Sequence, residues 1–241
     1  MSFATASKKQ EDVKQGGSAY INGSGIYPVT ILAPVVSVGK KGAQTVDLYV
    51  EHQGQKQICY GNLRITNNDD SPNKIGAKIF NQLLIIADVD SVAFPVAEEL
   101  PIGKKDSKGN PTMKEVDILE DLCDLEVLMR IQMEYNVFNG NIQEKKNIKS
   151  FFRASDKATA EEIVNGTEAG LGYEREQKYV NNVTYEDGLT EEIIAQWIKD
   201  KRPKGTGGGG TSSAPEKAPS FGTKGKRFGN KAPKQPEAEA E

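Results

Sequence analysis

The chain holds 241 residues, 37% of them hydrophobic and 27% charged, which suits one folded domain with a good deal of chain outside its core. Two cysteines and no apolar leader argue against a disulfide scaffold and a signal peptide, and the longest apolar run, Leu83 to Ala87, is too short to cross a bilayer. The expectation is a cytoplasmic protein with no membrane partner. A net charge of −3 hides segregation: residues 1–198 carry 21 Lys and Arg against 29 Asp and Glu, residues 199–235 carry ten against two, and the last six add three Glu.

Residues 1–24 are polar and Gly/Ser-containing, and read as a flexible arm. From Ile26 to Ser37, Tyr27, Val29, Ile31 and Ala33 alternate as in a strand, and Pro28 and Pro34 predict a bend, a bulge or a partial edge. After the Gly39–Gly42 turn, Val46, Leu48 and Val50 alternate with Asp47 and Tyr49. A turn at Gly54 leads to a third strand with Cys59, Leu63 and Ile65 inward and Tyr60, Asn62 and Arg64 outward. Three such strands make a meander.

Ser71–Pro72 reads as the start of a helix in which Ile75, Ile79, Phe80, Leu83, Leu84 and Ile86 recur at three- and four-residue spacing. Between Asp88 and Asp117 the prolines, glycines and lysines predict a long irregular loop. Val127, Met129, Ile131, Met133, Tyr135 and Val137 then alternate with polar residues in the cleanest strand of the sequence. Asn139–Gly140 predicts a tight hairpin turn. On the return strand, Ile148 and Phe152 are expected inward, leaving Lys145, Asn147, Lys149, Phe151 and Arg153 on the opposite face.

Beyond Arg153, Thr159 to Glu162 is a capping-box pattern for a helix ending at Gly166. Residues 170–188 are ambiguous, and Thr190 caps a last helix with Ile193, Ile194, Trp197 and Ile198 toward the body. From 203 to 241 the Gly/Pro/Lys content predicts a disordered linker with an acidic tip. The domain plan is therefore an arm (1–24), a β domain (25–153), a helical extension packed on it (154–202) and a tail (203–241).

Three antiparallel strands, a helix and a hairpin give the element order of a mainly β, five-stranded Greek-key barrel, the oligonucleotide/oligosaccharide-binding (OB) fold, with the helix between strands three and four. Ligands there lie across strands two and three. The expected nucleic-acid face then gathers Tyr49, Tyr60, Asn62 and Arg64, the loop cations Lys40, Lys41, Lys104 and Lys105, and Lys145, Lys149, Phe151 and Arg153 of the return strand. Cations among aromatics suit single strands, because phosphates need positive charge and unpaired bases need a π surface. Tyr49 and Tyr60 fit ordinary cross-strand pairing equally well, and lysines on a return strand also protect a solvated edge.

The β-meander, the Glu134-Tyr-Asn-Val-Phe-Asn-Gly-Asn141 hairpin with its basic return strand, the Gly/Pro/Lys linker and the Glu-rich end together resemble a bacteriophage single-stranded DNA-binding protein. The resemblance covers roughly residues 25–153 and 203–241. It implies cooperative coating of single strands in replication and recombination in the host cell cytoplasm. It also implies an acidic tip, here Glu237, Glu239 and Glu241, that recruits a phage polymerase, helicase or primase, and the possibility of a homo-oligomer. The tip departs from the family pattern by lacking a terminal aromatic.

Catalytic chemistry has little to stand on. His52, Cys59 and Cys123 lack metal-ligand spacing, no phosphate-binding Gly-x-x-x-x-Gly-Lys motif occurs, and Glu98, Glu99, Asp117, Glu120, Asp121 and Asp124 read as a solvated face more readily than a Mg²⁺ cluster. No enzyme activity, cofactor or metal is expected. The alternatives are a structural or protein-interaction β domain, such as a virion or scaffold component, favoured by the acidic body, and a strand-annealing or recombination mediator.

Overall fold

A computed structural model describes residues 19–201, apart from the side chains of residues 59–62. The alternating strand forms as expected: β6 (Leu125–Phe138) buries Val127, Met129, Ile131, Met133 and Tyr135 and turns at Asn139 and Gly140, both at positive φ (50° and 75°), into β7 (Asn141–Arg153). The meander is β1 (Gly25–Val38), β2 (Gln44–His52) and β3 (Gln55–Arg64). All three pair antiparallel, and the N-terminal half of β1 pairs with β6. The order β3-β2-β1-β6-β7 follows from these ladders. The protein is mainly β, with an antiparallel sheet and few helices.

The sheet does not close. β3 and β7 approach each other without a ladder, and α1 (Gly76–Ile86) packs against both, sinking Ile79, Leu83 and Ile86 into the core. Its start is held by Asn73, whose side-chain oxygen accepts from the amides of Ile75 (3.3 Å) and Gly76 (2.9 Å). The expected starter Ser71 is instead bonded to Asp69 in the preceding turn.

Two bulges reset the alternation on which the sequence reading depended. Leu32 has no opposite number in β2, because Ile31 faces Val50 and Ala33 faces Tyr49. Val29 and Ile31 therefore lie in the main core, while Ala33, Val35 and Tyr49 lie in a second apolar cluster on the other face. Likewise Ile131 faces Ile148 and Arg130 faces Ser150, leaving Lys149 as the extra residue. Past it Phe151 joins the main core and Phe152 turns to the outer face, where the ring of Tyr173 covers it edge-on at 5.3 Å. One inserted residue flips every side chain beyond it.

The expected irregular loop carries a hairpin, β4 (Val96–Leu100) and β5 (Lys114–Ile118), with β5 paired to β1 at Val35 and Val36. Leu100 and Ile118 cover Ala33, Val35 and Tyr49. A single 3₁₀ turn (Glu120–Leu122) leads into β6.

The C-terminal extension packs on the sheet. α2 (Ala160–Asn165) has both hydrogen bonds of the capping box between Thr159 and Glu162 and ends at Gly166 with φ 61°. It is followed by α3 (Leu171–Gln177), β8 (Thr184–Tyr185), paired parallel to β6, and α4 (Glu191–Lys201). In α4 Ile194 is buried and Trp197 and Ile198 pack on the core, but Ile193 is exposed. The Tyr135 ring stacks on Tyr185 at 5.9 Å and meets Trp197 edge-on at 6.1 Å. At the other end Ile21 is fully buried and its amide donates to Gln57 (2.9 Å), so ordered chain begins before residue 25. The arm up to residue 18, the tail from 203 and its Glu237, Glu239 and Glu241 lie outside the described residues. No described helix is long and apolar enough to cross a membrane.

Candidate nucleic-acid interface

The β1–β2 turn is tight: the Gly42 amide donates to Gly39 (2.9 Å), the Gly39 amide donates to Ala43 (2.8 Å), and Gly42 sits at φ 91°, where a Cβ would be strained. Lys40 and Lys41 stand exposed at its tip. Beside them Thr45 pairs with Arg64, whose guanidinium donates to the Thr66 carbonyl (3.1 Å) and to Asn68 Oδ1 (3.0 Å). Arg64 is thus anchored in the loop after β3 and half-buried.

The tip of the β4–β5 hairpin brings a second set of cations to the same region. β5 runs antiparallel to β1 through Val36–Asp117 and Val35–Ile118, so the tip continues past the end of β1 that carries Lys40 and Lys41. Asp106 shapes the tip by accepting from the amides of Lys108 (2.8 Å) and Asn110 (2.9 Å). Lys104, Lys105 and Lys108 are exposed there. Five lysines from two turns therefore extend beyond one end of β1, and Arg64 lies at the base of the first.

The return strand does not complete this face. Phe151 is 1% exposed and Tyr49 6%, so neither ring can stack on a base, which corrects both expectations. The cause is the Lys149 bulge in one case and the β4–β5 cover in the other. Lys145 lies 3.4 Å from Glu134, which also accepts from Asn147 (2.7 Å). Arg153 makes a two-pronged pair with Asp156 (3.0 and 2.6 Å). That pair and the Ala158 amide hold the Asp156 carboxyl down to about 2. Lys149 is exposed at the bulge. The Tyr60 and Asn62 side chains lie outside the described residues.

Beside Tyr49 lies a hollow of about 500 Å³ lined by Glu98, Glu120 and Asp124, with Lys56 the basic residue among its walls. Carboxylates there oppose a phosphate path across the middle of the sheet. Burial and the carboxylates of Glu98, Asp124 and Glu120 push the Cys123 thiol up. His52 is buried, its Nδ1 2.7 Å from the Pro28 carbonyl and its ring edge-on to Tyr27 at 5.4 Å. Because a carbonyl only accepts, Nδ1 carries the proton, and the ring pins the β2 end to β1. Among the described residues no three His, Cys, Asp or Glu side chains are grouped to hold a metal.

Sequence reasoning missed two exposed rings. Phe138, on the shoulder of the β6–β7 turn, is 58% exposed, and Phe94, just before β4, is 94% exposed. Phe138 shares strand parity with Glu134 and Asn136 on the polar face of β6, a signal readable from the alternation; Phe94 sits in a stretch with no periodicity to read. The chain matches no protein-family model and no curated protein sequence.

Proposed function

We propose that the protein binds single-stranded DNA without base specificity, through an open variant of the five-stranded OB barrel, and coats exposed strands during phage replication and recombination. The observation that carries this reading is the strand order β3-β2-β1-β6-β7 with α1 set between β3 and β7, the arrangement in which OB domains take oligonucleotides along strands two and three and the adjoining loops. The phosphate path is assigned to Lys40, Lys41, Lys104, Lys105 and Lys108, with Arg64 at its base. An acidic body repels a polyanion except where cations are gathered, and lysines held out on two turns meet that condition. The acidic tip, through Glu237, Glu239 and Glu241, would recruit a polymerase, helicase or primase. The role is one of binding, not catalysis.

Anisotropy of a labelled oligo-dT across a salt series tests the reading. Affinity falls steeply as salt rises, as counterion release requires, and Lys40→Glu with Lys41→Glu weakens it. Absence of binding at low salt ends the proposal. A second reading, a protein-interaction β domain or homo-oligomer, is favoured by one feature: β4 is an edge strand and is preceded by the almost fully exposed Phe94. Light scattering of the full chain and of Phe94→Ser separates the two. A mediator of annealing would share the DNA site and differ by acting on complementary strands.

A further inference from the structure

A cleft of about 390 Å³ lies between α1, β7, α2 and α3, away from the lysine turns, and its walls include Gln82, Ser150, Phe151, Phe152 and Arg175 together with the carboxylates of Glu161, Glu162 and Glu176. Its size falls among small-molecule pockets, which run from about 300 to 1,000 Å³. Two polar atoms of these walls, Gln82 Oε1 and Ser150 Oγ, are shut off from solvent and have no hydrogen-bond partner. Behind them Arg130, which faces Ser150 across the ladder, leaves its Nε without an acceptor while its terminal nitrogen pairs with Glu176. Buried polar atoms are nearly always satisfied, so orphans gathered at one cavity point to a group that belongs there.

The cleft is built and not left over. The Glu162 carboxylate accepts from the amides of Thr159 (2.8 Å), Gly170 (3.1 Å) and Gly172 (2.6 Å), tying the start of α2 to the start of α3. A Cβ on Gly172 would meet the Thr159 methyl at 2.4 Å, so that glycine sets how closely the two helices approach. Glu162 stays ionised with its charge turned to these three amides, Glu176 is paired with Arg130, and the exposed Glu161 stands with Arg175 among the walls.

We propose that this cleft takes one adenine base, free as a mononucleotide or presented by a bound strand. A glutamine carboxamide offers the acceptor and donor that match the N6–N7 edge of adenine, a serine hydroxyl serves in either sense, and Phe151 and Phe152 line the apolar wall. Arg175, exposed at the rim, faces the attached phosphate. The site does not depend on the lysine path and stands or falls apart from it.

Isothermal titration of the full chain with dAMP, dTMP and deoxyadenosine tests the site. dAMP binds, deoxyadenosine binds more weakly, and dTMP binds at least tenfold more weakly than dAMP. Gln82→Met and, separately, Ser150→Ala each lower dAMP affinity at least tenfold while the melting temperature of the free protein holds or rises, because an unpaired buried atom has been removed. Binding of dAMP persists in Lys40→Glu/Lys41→Glu, so failure of the DNA reading leaves this result intact. Loss of affinity for oligo-dA but not oligo-dT in Gln82→Met identifies a base of the strand as the ligand, and unchanged oligo-dA affinity identifies a free nucleotide. If the wild type ignores millimolar dAMP, or both variants keep its affinity, the cleft is a water-filled gap and the proposal is overturned.

Discussion

Lys149 decides more than its own position. As the unpaired residue of β7 it moves Phe151 from the surface into the core, and no periodicity in Ile148-Lys-Ser-Phe-Phe152 distinguishes that outcome from a regular strand. Phe151→Ala is accordingly expected to cost about 3–5 kcal/mol of stability, measured by urea unfolding, and to leave oligo-dT affinity unchanged under folding conditions. At Arg153 the guanidinium is occupied by Asp156, which is held well below its ordinary value. A lowered folded pKa stabilises above the unfolded value and that contribution disappears as pH falls through about 2. Asp156→Asn should therefore be less stable than the wild type near neutrality, the gap closing between about pH 4 and pH 2 in acid-unfolding curves.

The elements that were legible in the sequence are those whose pattern is local. The β6–β7 hairpin needed only alternation and Asn139–Gly140, α1 only its apolar spacing, and α2 only Thr159 and Glu162. The β4–β5 hairpin was not legible, because its five-residue strands, Val-Ala-Glu-Glu-Leu and Lys-Glu-Val-Asp-Ile, draw their support from β1, and because prolines and glycines surround them. Its presence hid Tyr49, which alternation alone placed outside. The α1 start shows a similar limit: Ser71 satisfied a helix-start pattern, but Asp69 claimed it first. Asn73→Ala should then destabilise by about 1 kcal/mol, the loss of one cap, in thermal unfolding. Gly76 gives a sharper case. Helix propensity favours alanine by about 1 kcal/mol, yet a Cβ there would meet the Arg64 carbonyl oxygen at 2.1 Å and its amide nitrogen at 2.7 Å, both main-chain atoms that cannot turn aside. Gly76→Ala is expected to lower the melting temperature despite its better propensity.

For the whole molecule, the balance of 21 bases against 29 acids up to residue 198 reads as hostile to DNA until the chain is folded. Folding sends Lys40, Lys41, Lys104, Lys105 and Lys108 out on two turns, while Glu98, Glu120 and Asp124 remain around the hollow at Tyr49. Each lysine that contacts a phosphate should contribute about 0.7 to the slope of log affinity against log salt. Lys40→Glu/Lys41→Glu should flatten that slope, and Lys145→Glu, on a strand outside the path and facing Glu134, should leave it nearly unchanged. The arrangement at the far side has its own outcome. Trp197 is the chain's single tryptophan, and its neighbour is the Tyr135 ring, not the lysine turns. Its emission is therefore a built-in gauge of whether the last helix is seated, read without any label: a red shift on gentle warming, ahead of any change in the β signal of circular dichroism, would mark that helix lifting away while the strands remain intact.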